Sequence, residues 1–118
     1  GKATYGDPAF DLAFCLNPLL LKCVWRPQSK GDYVACYQAF LRSYLPAVIW
    51  EPVADIERRA GALLPAMLLA RIDGKSPVEY ITKESDRDKV RGFAKQWLLD
   101  RPSSSLSALG EAWKQHLT

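Results

Sequence analysis

Cysteine is scarce and badly spaced for chemistry. The three residues Cys15, Cys23 and Cys36 are separated by eight and thirteen positions, which matches neither a zinc ribbon nor a CxxC redox pair. An odd number among apolar neighbours reads as reduced thiols packed as small hydrophobes, as in a cytoplasmic protein. Long apolar runs are also missing: the stretch around Leu19 to Leu21 is far too short to span a bilayer, so no membrane partner is expected. No apolar segment follows Lys2 as in a signal peptide. Basic residues are not blocked together, and acids interleave with them from Lys83 to Arg91, which speaks against a nucleic-acid surface. Repeats, low-complexity tracts and sustained period-two strand patterns are absent too.

What is present is apolar material in helical periods. Of 118 residues 48% are hydrophobic, with four tryptophans and five tyrosines, so one domain with a real core is expected and intrinsic disorder is not. A chain of this size buries roughly 65% of its unfolded surface. A first helix is expected from Pro8, capped by Asp7 and apolar nearly all round from Leu12 to Trp25, hence central and buried. Pro18 either kinks it or follows a fresh start capped by Asn17. Gln28 to Asp32 reads as a polar turn. A second helix carries Tyr33, Tyr37, Phe40, Leu41 and Tyr44 and ends before Pro46. A third, from Glu51-Pro52, carries Ile56, Ala60, Leu63, Leu64 and Met67, bends at Pro65 and stops at a left-handed Gly74. Ser76-Pro77-Val78-Glu79 has the form of a capping box leading a short helical turn through Tyr80 and Ile81. A fourth long helix spans about Asp86 to Leu99. The last bears Leu106, Leu109, Trp113 and Leu117 behind three serines, any of which could cap it. The fold class is all-α: a single domain, residues 1–118, of about five helices.

Two segments carry a resemblance. The run Tyr5-Gly6-Asp7-Pro8-Ala9-Phe10-Asp11-Leu12-Ala13-Phe14 resembles the Asp-Pro-x-x-Asp-Leu-Ala signature of the aminoglycoside phosphotransferase family, small-molecule kinases with a protein-kinase-like fold. The stretch from Leu68 to Tyr80, with Ala70-Arg71-Ile72-Asp73-Gly74-Lys75-Ser76-Pro77-Val78-Glu79-Tyr80, is similar to an Ala-Arg-x-Asp-Gly-Lys-Ser-Pro-Val-Glu-Tyr segment found in the same family. Their order and separation fit that family's C-terminal helical lobe.

The resemblance implies where chemistry would sit and what is not here. Phosphoryl transfer needs a phosphate-covering loop, a lysine, metal-binding Asp and Asn, and a base Asp. The family's His-x-Asp-x-x-x-x-Asn loop has no counterpart, since the only histidine, His116, is two residues from the end and is expected at the surface. No catalytic, cofactor-binding or metal-binding residue is therefore expected, and no cofactor. Gly74-Lys75-Ser76 echoes the end of a P-loop, but Leu69 stands where the first glycine is required and a helix leads in rather than a strand. By the resemblance Asp11 would hold the catalytic loop through its backbone amides; read alone, Asp7 is a helix cap and Asp11 a first-turn carboxylate favoured by the helix dipole. Asn17 is either a contact on the phosphoryl-acceptor side or a cap of the Pro18 segment. Asp73 and Lys75 could pair locally. The chain thus reads as a phosphotransferase-like lobe without activity of its own, or as a free-standing interaction module. Its expected partner is the remainder of a kinase-like protein or a second copy, met through an exposed apolar face.

Overall fold

An acid followed by proline starts the first helix as expected. The computed structural model describes residues 6–118, so Tyr5 of the signature run lies outside them. Asp7 is extended (φ −77°, ψ 117°), its Oδ1 accepts the Ala9 N–H at 2.9 Å, and Pro8 occupies the first helical position. The described residues form five helices and no strand: α1 Pro8–Trp25, α2 Lys30–Tyr44, α3 Val53–Asp73, α4 Glu84–Asp100 and α5 Leu106–His116. Single 3₁₀ turns, Pro27–Ser29 and Leu45–Ala47, flank α2.

Helix α1 is central, packed on both α2 and α3, but it is not buried all round. Ala9, Leu12, Ala13, Leu16, Leu20, Leu21, Cys23 and Val24 face inward, whereas Phe14 is 65% exposed and Phe10 40%. Pro18 neither breaks the helix nor follows a cap; α1 runs through it, so Asn17 is an interior helical residue and caps nothing. The reason is position. Proline cannot donate to the Phe14 carbonyl, but both residues lie on the exposed side, where water can take the freed acceptor. By length and composition α1 is apolar enough to cross a membrane (mean hydropathy 1.2), and half of it is buried inside this protein.

Helix α3 buries Ile56, Ala60, Leu64, Leu68 and Ile72, a ladder of four-residue steps, and Pro65 lies within it without ending it. Leu63 and Met67 are only half-buried. In α2 the buried line is Val34, Tyr37 and Leu41, with Phe40 at its edge. Helix α4 buries Val90, Phe93, Ala94 and Trp97 against α3. It ends at Arg101 in the left-handed region (φ 44°, ψ 53°), a conformation that costs a side-chain-bearing residue about 1 kcal/mol. Among the three serines, Ser105 caps α5 by accepting from the Ala108 N–H at 3.1 Å, and Glu57 of α3 accepts from the Leu106 N–H at 2.9 Å.

Two features of the α3–α4 connection differ from expectation. Gly74 is extended (φ −82°, ψ −168°), not left-handed; a Cβ there would lie 2.3 Å from the Ala70 carbonyl oxygen, so close approach is what demands glycine. The Ser76–Glu79 capping box forms no helix. Val78 gives its N–H to the Arg71 carbonyl (2.8 Å), Arg71 Nη1 donates to the Ser76 carbonyl (2.6 Å), and Val78 and Ile81 drop into the core. Burying those two side chains against the end of α3 outweighs the local preference of a short helix.

Helices α2 and α5 meet where a tyrosine ring packs on a glycine. Tyr37 is fully buried, its hydroxyl donates to the Leu106 carbonyl at 2.6 Å, and burial pushes that hydroxyl's pKa upward. Its ring lies over Gly110, where a Cβ would stand 2.5 Å from Cε1. Trp113, also fully buried, reaches from α5 to α1 and donates to the Leu20 carbonyl at 3.0 Å. Gly110→Ala is expected to destabilise the fold by about 2 kcal/mol, because the anchored ring cannot retreat. Gly92→Ala, where an added Cβ meets nothing within 4 Å, should stabilise by up to about 1 kcal/mol through helix propensity. Urea unfolding of the two variants tests both signs.

Candidate functional site

Near its beginning the signature run carries a charge clamp. Asp7, besides capping α1, faces Arg59 of α3: Nη2 to Oδ1 is 2.9 Å and Nε to Oδ2 is 3.3 Å. The same guanidinium donates to Glu51 Oε1 at 2.7 Å and Oε2 at 3.0 Å, so one arginine spans two carboxylates, a geometry only its planar fork allows. Trp50 Nε1 donates to Glu51 at 3.2 Å. Hydrogen bonding to Arg59 holds the carboxyls of Asp7 and Glu51 below their usual range, helped at Asp7 by the Ala9 N–H. Tyr44 packs nearby; burial raises its hydroxyl's pKa, with Asp11, Cys15 and Glu51 adding to the effect.

The three residues singled out by sequence share α1 but point apart. Asp7 is committed to α3. Asp11, one turn on, is exposed in the first turn of α1 and makes no ion pair among the described residues. Asn17 is turned inward: it is 6% exposed, and its Nδ2 has no hydrogen-bond partner among the described residues. It lines a groove of about 390 Å³ between α1 and α3 with Phe10, Phe14, Pro18, Met67 and Arg71. Phe10 and Phe14 stack along its edge, centroids 6.2 Å apart. Exposed Ile49 and Trp50 stand beside the clamp (90% and 54% exposed), extending the apolar surface around the start of α1.

Arg59 and Glu51 did not stand out in the sequence. Their eight-residue spacing puts them near one another at the start of α3, but nothing local connects them to Asp7, which lies fifty-two residues before Arg59. The expected Asp73–Lys75 pair does not form. Asp73 instead receives Arg91 of α4 (Nη2 to Oδ1 2.7 Å, Nε to Oδ2 2.8 Å), which lowers its carboxyl pKa. Arg91 also binds Glu84 and Asp88, so it ties the end of α3 to α4. Lys75 and Ser76 lie in bends after a helix, not in a phosphate loop. Among the described residues no group of three His, Cys, Asp or Glu side chains could hold a metal. Only Cys23 packs as a buried thiol, with burial pushing its pKa up to about 11; Cys15 and Cys36 are exposed, against expectation.

No family model, curated protein or solved structure matches this chain. The arrangement around α1 can brace two helices electrostatically and offer an apolar surface. The clamp has a pH signature. Asp7 and Glu51 are lowered in the folded state from ordinary values of 3.8 and 4.5, so the stability they contribute is fully present above those values. It is lost as pH falls through their lowered native values. Arg59→Met is therefore expected to be less stable than the parent near neutrality, the gap closing on acidification below about pH 4. Urea unfolding across that range measures it.

Proposed function

We propose that this chain is the supporting helical lobe of a phosphotransferase-like protein, inert by itself, which works by docking the remainder of such a protein against the start of α1. The observation that carries the reading is the pairing of a rigid, clamped helix start with uncovered aromatic surface. Asp7 caps α1 and is fixed by Arg59, while Phe10, Phe14 and Trp50 remain exposed around it. Scattered apolar residues on a surface need no explanation; a cluster of large ones at a fixed helix terminus has the character of an interaction surface. The Asp-Pro-x-x-Asp-Leu-Ala run builds this terminus, and its resemblance to the phosphotransferase signature supports the class of partner. In that assembly Asp11, solvent-facing and without an ion pair among the described residues, would accept amides of a catalytic loop, and Asn17 would lie toward the acceptor side. A cytoplasmic setting, with no membrane or nucleic acid involved, goes with this reading.

A second reading uses the same surface for a second copy of the chain. Phe14, 65% exposed in the second turn of α1, would be its centre.

The chain alone, incubated with ATP and sugars, aminoglycosides or small alcohols, should transfer no phosphate; robust turnover would sink the first reading. Light scattering at rising concentration separates the second. A dimer dispersed by Phe14→Lys is its expected signature, and a clean monomer at high concentration overturns it.

A further inference from the structure

A helix at the centre of a fold normally has its apolar side chains covered, and α1 has a ridge that is not. Phe10, Phe14, Pro18 and Lys22 follow one another at four-residue steps, all at least partly exposed. Helix α3 runs alongside in the same direction: Asp7 pairs with Arg59 in the early turns, and Pro18 shares the groove with Arg71 near the end of α3. The open groove of about 390 Å³ lies between Phe10, Phe14 and Pro18 on one side and Met67, Ala70 and Arg71 on the other. Phe14, Pro18, Ala70 and Arg71 are exposed and Met67 is half-buried, so an incoming side chain meets these walls directly.

The groove is unequal in charge along its length. Three cations belong to its far end: Lys22 one turn past Pro18, Arg71 across the groove, and Arg26 just beyond α1. Arg26 Cζ lies 4.2 Å from the centre of the Trp25 ring, Trp25 meets Tyr80 (centroids 5.1 Å), and Arg71 is within electrostatic reach of the Tyr80 hydroxyl. None of the three forms an ion pair among the described residues. Asp73 is held by Arg91 instead, and Glu79 pairs with none of them. Arg71 spends Nη1 on the Ser76 carbonyl and keeps further N–H groups for an acceptor. At the near end Asp7 and Glu51 are already neutralised by Arg59. The shape of the occupant follows from the walls. Two helices side by side have spent nearly all their backbone hydrogen bonds, so an extended peptide finds no ladder to join, whereas a helix arrives with its own bonds made.

We propose that the groove between α1 and α3 docks an amphipathic helix with an acidic polar flank. Its apolar side chains pack between Phe14 and Met67, and its carboxylates lie against Lys22, Arg26 and Arg71. The apolar row supplies contact area and the cations supply selectivity, since a basic helix of the same shape would place like charges together. A concave face also suits a rod better than the flat surface of a membrane. The inference rests on the reading of this side of α1 as a docking surface, and it names the chemistry of the element that docks there.

Two synthetic amphipathic helices of about 18 residues, roughly 27 Å long, serve as probes. They share one leucine face, and one carries glutamate on its flanks where the other carries lysine. Titration calorimetry against the whole chain is expected to give the acidic peptide a dissociation constant at or below about 100 μM and the basic one at least about tenfold weaker binding. Phe14→Ala should weaken the acidic peptide at least about fivefold, and so should Lys22→Glu with Arg71→Glu. Lys22→Glu alone replaces the double variant if that one does not fold. Arg42→Glu makes a like change of charge on α2, outside the groove, and should alter binding less than about twofold. Equal binding of both peptides, still weakened by Phe14→Ala, overturns the acidic partner and leaves the docking surface standing. Absence of binding to either peptide, or binding that a folded Phe14 or Lys22 variant leaves unchanged, overturns the groove as its seat. Tighter binding to vesicles of anionic phospholipid than to the acidic peptide, or a dimer of the chain that the peptide does not disperse, gives the face to another occupant and overturns the proposal as well.

Discussion

The fit of the Tyr37 ring over Gly110 is the contact on which the arrangement of the helices depends. It sets how closely α2 and α5 approach, and the hydroxyl's bond to the Leu106 carbonyl fixes the position of α5 along its axis. With α5 so placed, Trp113 reaches the Leu20 carbonyl of α1, and the last helix closes the core that α1 centres. The aromatic group of Phe93, Trp97, Trp113 and His116 then follows, since two of its members ride on α5. A small residue opposite a large one, with a polar group anchored beyond it, defines a single packing where hydrophobicity alone would permit several.

The helices were legible because their apolar residues recur at helical spacing and their ends carry chemical markers. Asp7-Pro8 announces α1 and Ser105 lies among the serines expected before α5. The errors lie where tertiary contact overrides local preference. Ser76-Pro77-Val78-Glu79 has every local reason to begin a helix, but Val78 and Ile81 are worth more in the core. Gly74 looks like a left-handed stop and is instead a point of backbone contact with Ala70. Phe14 belongs by composition to a buried helix, but it stands at the rim of the groove between α1 and α3 and stays mostly exposed.

The candidate site was legible only in part, for a different reason. A cap is a local device, so Asp7 could be assigned from its neighbours. Arg59 and Arg91 each gather carboxylates from separate elements, and no spacing in the chain encodes which acids will meet them. Asn17 shows the converse. Proline beside it suggested a helix start, whereas the fold carries the helix through and leaves a buried amide without a partner. An unsatisfied polar atom can be found only once its neighbours in space are known.

The three cysteines give the molecule an intrinsic clock. Cys15 and Cys36 stand in solvent, while Cys23 is enclosed where α1 turns into α2, its Sγ directed at the carbonyls of Leu19 and Lys30. With its thiolate disfavoured by burial, Cys23 is shielded from alkylating reagents as long as that corner stays shut. Two sulfurs are open to the reagent. The third reports how often the corner opens, and so reads local breathing of the central helix without any added label.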